Sequence, residues 1–219
     1  MNEDQLTHQP SVKLAKHELR TALKRKRNHI DADQRKQDAK QACRRAAQLL
    51  EELRHEQGRP LTVCAYMPFG PELDIIPLME ACLSSGDQLY IPRTLQDTHT
   101  LEWVGWNMST PFKSGVFGIR EPADEAEAVP IHHIMNNTNI VLVPGLGFDR
   151  TGGRLGMGAG YYDRFLSLWE SAKPKDKPRL LSIIYNEQLV VRVPVEPHDA
   201  MIDILVTPSQ VIPIKKAGF

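Results

Sequence analysis

The stretch from Leu61 to Pro92 limits the possible folds more than any other part of the chain. LTVCAYM (Leu61 to Met67) is a short apolar run rich in β-formers. DIIPLMEACLSS (Asp74 to Ser85) has helical spacing behind an aspartate that can start a helix, and QLYIP (Gln88 to Pro92) is a second strand-like run. Two strands joined through a helix run parallel, because the helix carries the chain back to the end of the sheet where the first strand began. A parallel sheet is buried on both faces and needs helices on both. The expected class is therefore α/β, a three-layer α/β/α arrangement around a largely parallel sheet.

The rest of the chain extends this pattern. Strands are expected at Thr100 to Trp106, Asn139 to Val143, Arg179 to Tyr185 and Asp203 to Thr207, with a helix from about Tyr161 to Trp169. The region through Pro130, including PFKSGVFGIREP, reads as irregular, and KPKDKP as a linker. Two helices precede the first strand. Leu14, Ala15, Leu19, Ala22 and Leu23 form an apolar side between Val12 and Asn28, opposite Lys13, Lys16, Arg20, Lys24, Arg25, Lys26 and Arg27. Asp31 or Asp33 can cap the second, which runs to about Leu53 before Gly58 and Pro60 break it. This pair is expected to flank the sheet. Residues 1–11 are expected to be a loose tail and residues 12–219 one domain.

Composition excludes several functions. Lys plus Arg and Asp plus Glu both total 27, giving a formal net charge of zero, which argues against non-specific coating of nucleic acid. Aromatic residues are only 6% and are not interleaved with the basic first helix, as stacking on single strands would require. No apolar run approaches the ~20 residues of a membrane span, and the polar MNEDQLTHQPS start has no signal-peptide core. Cys43, Cys64 and Cys82 are far apart, odd in number and without a CxxC pair, as expected of reduced core residues in a cytoplasmic protein. His132 and His133 are adjacent and poorly placed to chelate one metal, and no His/Cys spacing suggests zinc.

The chemistry concentrates in GGRLGMGAGYYDR, from Gly152 to Arg164. A glycine-rich turn between a strand end and a helix exposes backbone N–H groups to an anion, and phosphate is the ligand such turns usually hold. Gly156, Gly158 and Gly160 follow neither of the two familiar phosphate-binding patterns. No Gly-Lys-Ser/Thr ends the loop, and the third glycine of a dinucleotide fingerprint would fall on Tyr161. A loop that merely needs positive φ angles has the same spacing. Two neighbours favour the phosphate reading. Arg154 can fork onto phosphate oxygens, and Asp163 can bind Mg²⁺ or stabilise the helix start. Tyr161 and Tyr162 lie about 100° apart on a helix, so one of them is expected in the core. Lys16 and Arg20, four apart, share a helix face and can reach one triphosphate together, though the same pair fits a solvated basic face.

PGLGFDRTGGRLGMGAGYYDRFL (Pro144 to Leu166) closely resembles the motif of the 5-formyltetrahydrofolate cyclo-ligases, also called methenyltetrahydrofolate synthetases. KHELR (Lys16 to Arg20), YMPFGPELD (Tyr66 to Asp74), GVFGIREP (Gly115 to Pro122) and VPVEPHDAMIDILVTP (Val193 to Pro208) match the same family. The resemblance implies an enzyme that uses ATP, with Mg²⁺, to convert 5-formyltetrahydrofolate to 5,10-methenyltetrahydrofolate, releasing ADP and phosphate. It implies phosphorylation of the formyl oxygen followed by attack of N10 on the activated carbon. By the same resemblance Arg154 and Asp163 carry the catalysis. ATP is held by Lys16, Arg20 and the loop Arg154, Leu155, Gly156, Met157, Gly158, Ala159, Gly160, Tyr161 and Tyr162. The folate meets Met67, Glu72 and the loop residues Met157, Gly158, Ala159, Gly160 and Tyr161. Asp163 and Asp199 would bind the metal. The partners implied are small molecules, with no nucleic acid and no membrane, in a monomer or homodimer. Many members carry Lys or Arg in the x positions of GxGxG, where this chain has Met157 and Ala159, so Arg154 or another basic residue is expected to supply that contact. A different α/β enzyme, acting on a sugar phosphate or a coenzyme A ester, is the alternative; it would need no ATP and has no use for an acid beside the loop.

Overall fold

Side chains alternate along each parallel strand, and the alternation separates two apolar layers. Val63, Ala65, Ile140, Leu142, Leu181, Ile183, Ile204 and Val206 point to one face, while Cys64, Val141, Val143, Ile184 and Leu205 point to the other. A computed structural model describes residues 11–115, 118–172, 177–197 and 199–215. Most of the expected tail, Val116 and Phe117 of GVFGIREP, part of the KPKDKP linker, and His198 lie outside the described residues.

The main sheet has five parallel strands at its centre: β1 (Thr62–Cys64), β2 (Gln88–Leu95), β7 (Ile140–Leu142), β10 (Arg179–Ile183) and β12 (Ile204–Val206). The strand order is β13-β12-β10-β7-β1-β2-β3-β6, in which β3 (Thr100–Gly105), β6 (Ala128–Val129) and β13 (Val211–Pro213) add antiparallel edges. β4 (Phe112–Ser114) and β5 (Arg120–Pro122) pair in the region expected to be irregular, and α4 (Ile131–Asn137) follows it. These elements are too short for a periodic signal to develop. The class expected from the sequence is the one observed.

One face is covered by α2 (Ala32–Gln57) and α3 (Ile76–Ser84), the other by α4 and α5 (Tyr161–Ala172). α2 begins where Asp31 Oδ1 accepts the amides of Asp33 and Gln34, at 3.0 and 2.9 Å, and ends at Gly58 with φ +64°. Ala39, Ala42, Cys43, Ala46, Leu50 and Leu53 are its buried stripe. Trp103, Phe165 and Trp169 stack beneath the opposite face, with ring centroids 4.6 and 4.9 Å apart. The three cysteines are free and buried, and burial pushes each thiol up to about 12.

The N-terminal helix pair divides its work. α2 flanks the sheet as expected, whereas α1 (Val12–Asn28) packs over a second, small sheet. That sheet, ordered β11-β8-β9, joins β8 (Gly147–Asp149), β9 (Arg154–Leu155) and β11 (Leu189–Val190). Leu23 of α1 clusters there with Leu146, Leu155 and Val193, and a Cβ on Gly147 would overlap Leu23. The glycine stretch is thus not a simple strand-to-helix turn, because a hairpin stands between β7 and α5.

Candidate active site

The order of the sheet locates the site. From β1 the chain moves to β2 on one side, and later strands β7, β10 and β12 are laid down on the other. The reversal falls between β1 and β7, and the crevice beyond the carboxyl ends of such a pair is where open α/β sheets take ligands. Met67 and Glu72 follow β1, and Pro144 and Gly145 follow β7. The β8–β9 hairpin then returns the chain to the same edge.

Asp149 builds that hairpin. Its Oδ1 accepts the Thr151 amide, the Thr151 hydroxyl and the Gly153 amide at 2.8, 2.6 and 3.0 Å; its Oδ2 accepts the Val193 amide at 2.7 Å. Burial works to raise the carboxyl's pKa, but these hydrogen bonds more than offset it and hold it below the ordinary carboxylate range. Gly152, at φ +92°, sits where a Cβ would lie 2.7 Å from the Ile202 carbonyl, and a Cβ on Gly153 would lie 2.5 Å from Asp149 Oδ2. Sequence reasoning passed over Asp149. The Asp-x-Thr-Gly-Gly pattern, in which an aspartate bonds its own following backbone, was the signal available.

The three later glycines have a different setting. Among the described residues the amide N–H groups of Gly156, Met157, Gly158, Ala159 and Gly160 donate no hydrogen bond. Gly158 and Gly160 have φ of +110° and +73°. Two guanidinium groups grip the loop through its carbonyls. Arg20 Nε donates to Gly156 O at 3.0 Å, and Arg164 Nη2 donates to Ala159 O at 2.6 Å. Arg164 also donates to the His99 carbonyl at 2.7 Å and lies 5.6 Å from the ring centre of Tyr161. Met157 is 54% exposed at the tip, so the cations beside this loop come from α1 and α5 rather than from its x positions. Arg164, which the sequence reading left without a role, follows the loop by one turn of helix.

Arg154 is buried and ion-paired with Asp163; its Nη1 reaches the Pro144 carbonyl at 3.4 Å, and its Nε has no acceptor among the described residues. Asp163 keeps 30% of its side chain exposed. The two are brought together as a pair, at the point where β7, β9 and α5 meet. Leu155 between them is core.

Lys16 and Arg20 do share a helix face, but they diverge at their tips. Lys16 Nζ donates to Glu196 Oε2 at 2.8 Å and to Asp199 Oδ2 at 2.6 Å, and the same Asp199 oxygen accepts the Glu196 amide at 2.7 Å. Burial pulls the ammonium's pKa down; the hydrogen bonds to Asp199 and Glu196 more than offset this, and it stands above the ordinary lysine value. Neither carboxylate could be assigned to Lys16 from sequence, since they lie about 180 residues away. The hydroxyl of Tyr162 is buried with no hydrogen-bond partner among the described residues, and burial drives its pKa up, while Tyr161 meets His99 edge-on at 6.0 Å. Tyr162 is therefore the core member of the pair. Met67 is buried at the β1 end, and Glu72 Oε2 accepts the Phe69 amide at 3.1 Å. Among the described residues no three His, Cys, Asp or Glu side chains converge as a metal site.

A family model described as the 5-formyltetrahydrofolate cyclo-ligase family matches residues 12–208. The chain belongs to this family. The 5-formyltetrahydrofolate cyclo-ligase of Mycolicibacterium smegmatis is 32% identical over 200 residues, spanning 90% of this chain and 95% of the relative. That of Haemophilus influenzae is 29% identical over 192 residues, spanning 86% and 96%. Among solved structures, the NMR structure of Aquifex aeolicus 5,10-methenyltetrahydrofolate synthetase matches with a TM-score of 0.70 at 27% identity, covering 93% of this chain and 95% of that one. A 5,10-methenyltetrahydrofolate synthetase from Mycoplasma pneumoniae shares the fold, with a TM-score of 0.66 at 18% identity. As a member of the cyclo-ligase family the chain is a ligase, and the family and these neighbours support the cyclo-ligase activity expected from the sequence. The family match begins at the first residue of α1 and ends beyond β12, so Lys16, Arg20 and Asp199 all fall within it.

Proposed function

We propose that the protein couples ATP cleavage to the conversion of 5-formyltetrahydrofolate to 5,10-methenyltetrahydrofolate. The observation that carries this reading is the run of amides from Gly156 to Gly160 that donate no hydrogen bond among the described residues, flanked by the guanidinium groups of Arg20 and Arg164, at the ligand edge of the sheet. Backbone donors with no internal hydrogen bond to break cost little reorganisation when an anion arrives, and phosphoryl transfer asks mainly for positioning and charge neutralisation.

In this reading the formyl oxygen attacks the γ-phosphorus, the bond to the β-bridging oxygen breaks and ADP leaves. The N10 lone pair then adds to the activated formyl carbon. N10 loses its proton and the former formyl oxygen departs with the phosphate, leaving the new carbon–nitrogen double-bonded cation. Arg20 and the loop amides hold the phosphates, with Leu155, Gly156, Met157, Gly158, Ala159, Gly160, Tyr161 and Tyr162 shaping the cradle. Arg154, fixed by Asp163, meets the transferring group. Met67 packs on the pterin, and Glu72 accepts its N–H groups. Lys16 acts through the Glu196–Asp199 segment it holds against α1.

Magnesium, when bound to the triphosphate, supplies neutralisation of the phosphate charge, and one or two carboxylates suffice to share it. Asp163, partly exposed beside the loop, fits that role; Asp199 is engaged by Lys16 and would share its oxygen. The reaction is assigned to the cytoplasm, where buried free thiols such as these stay reduced. Among the described residues no helix is long and apolar enough to cross a membrane.

The test is an assay of purified protein with 5-formyltetrahydrofolate, ATP and Mg²⁺, following the near-ultraviolet absorbance of the methenyl product. An ATP-dependent rise is expected. A rise without ATP, or none with it, would overturn the reading.

A further inference from the structure

Arg27, in the last turn of α1, is buried although its neighbours Lys24, Arg25 and Lys26 are exposed. It lies four residues after Leu23, so it shares the inward face of the helix rather than the basic outer one. A buried guanidinium is costly unless it is paired and fully hydrogen-bonded. Here it is neither. Nη1 stands 3.7 Å from Glu72 Oε1, its nearest ion-pair partner, and Nε is buried with no acceptor among the described residues. A pair built for stability alone would be short and bidentate. Burial has accordingly lowered the arginine's pKa, with Glu72 pulling it back up.

Glu72 lines a cavity of about 560 Å³ between α2, α3 and the ends of β1 and β10. Burial lifts its carboxyl above the ordinary carboxylate value, and Arg27 and the Phe69 amide offset only part of that rise. The groups facing it come from every element around. They are Arg27 from α1, Arg35, Lys36, Lys40, Cys43 and Arg44 lining the same cavity from α2, Tyr66 and Asp74 from the β1–α3 segment, Tyr162 from α5, and Tyr185 after β10, whose hydroxyl donates to the Glu72 carbonyl at 3.4 Å. The three tyrosines are pushed upward by burial and stay neutral through the working range of pH.

We infer that Arg27 is a positioning residue for the folate: it keeps Glu72 an anion and orients both oxygens to accept hydrogen bonds from the pterin's N–H donors. A protonated Glu72 would offer one donor where the ring also has donors, and binding would weaken. The inference rests on the reading of Glu72 as a folate contact.

The experiment compares kcat and KM for 5-formyltetrahydrofolate from pH 5.5 to 9 in wild type, R27Q, R27K and E72Q. A cation within about 4–6 Å lowers a carboxylate's pKa by about 1–3 units, so R27Q should move the acid limb of kcat/KM for folate upward by about that much. The sign is fixed: without the cation Glu72 takes its proton at higher pH, so folate binding is lost earlier as pH falls and recovers at alkaline pH. R27K should fall between wild type and R27Q, and KM for ATP should change less than about twofold in either. A merely structural Arg27 would lower activity uniformly with pH, and that result overturns the inference. If R27Q does not fold, the neutral R27M decides, and an unmoved limb in R27M overturns it. E72Q separates the two readings. A normal folate KM in E72Q sinks the role of Glu72 itself and the inference with it, whereas a raised KM in E72Q with an unmoved limb in the Arg27 variants sinks the inference alone.

Discussion

The two halves of GGRLGMGAGYYDR use glycine for opposite purposes. At Gly152 and Gly153 the missing side chains let the backbone close around Asp149 and against the Ile202 carbonyl, and the carboxylate takes part in four hydrogen bonds. At Gly156, Gly158 and Gly160 the missing side chains keep a loop open, with amides that donate no hydrogen bond among the described residues and two guanidinium groups alongside. The first half is a frame, and the second is a surface held ready by that frame. A single glycine count in sequence merges them, yet mutation should separate them into stability and activity.

The largest effect is expected at the frame. Asp149→Ala leaves the buried amides of Gly153 and Val193, and the part-buried amide of Thr151, without their acceptor, at about 1–3 kcal/mol for each that water cannot reach. A loss of about 3–5 kcal/mol is expected in urea unfolding, large for a point substitution. A loss below about 1 kcal/mol would show that the hairpin stands without Asp149.

At the junction of frame and surface, Asp163→Asn should lower kcat/KM about a hundredfold, equivalent to about 2.7 kcal/mol. It should also cost about 1–2 kcal/mol of stability. The sequence alone suggests a separable catalytic aspartate; the structure couples it to buried Arg154, whose charge loses its partner. That cost is held down because Asp163 is 30% exposed and water can partly replace it. Parallel measurement of kcat/KM and unfolding free energy checks both, and an unchanged stability would place Arg154 outside the pair's influence.

The open half is tested by Gly158→Ala. At φ +110° an alanine is strained by about 1–2 kcal/mol, and the loop should shift rather than the protein unfold. KM for ATP should rise about tenfold with Tm within about 3 °C of wild type. Gly153→Ala should do the reverse, lowering Tm with a smaller change in KM. Equal behaviour of the two alanines would erase the distinction between the halves.

Much of the fold was legible because periodic signals were long enough. The parallel strands, the Asp31 cap, the Gly58 stop and the α2 stripe all follow from local spacing. β8, β9 and β11 were not: unlike β1, β7 and β12, which are as short but sit within apolar runs, they are stabilised by Asp149 and by Leu23 from α1 rather than by propensity. The site was legible as a motif but not as a set of contacts. Lys16 reads as a free cation until Glu196 and Asp199 fold against it, and Arg27 reads as one of a solvated run until its side chain is found buried. Such pairings depend on tertiary distance, which neither spacing nor composition encodes.

The smallest effect at neutral pH, and the sharpest in sign, concerns the charge on Asp149. Asp149→Asn keeps a carbonyl oxygen for the Thr151 and Gly153 amides but turns an NH₂ toward the Val193 amide, so part of the frame is lost. Asp149's folded pKa lies below its ordinary value of 3.8, so its ionised form contributes stability that is fully present above that value and lost as pH falls through the folded one. The gap in unfolding free energy between wild type and Asp149→Asn should therefore be constant from about pH 7 to 5 and shrink below about pH 4. Once Asp149 itself is protonated it should be nearly closed, because the acid, like the amide, then presents a donor on one side. A gap that stays constant to pH 2 would mean that the hairpin needs only an acceptor and not a charge. A closing gap would identify the acid sensitivity of the frame with this one carboxylate, while ATP affinity, set at the open half, should follow only the fraction folded.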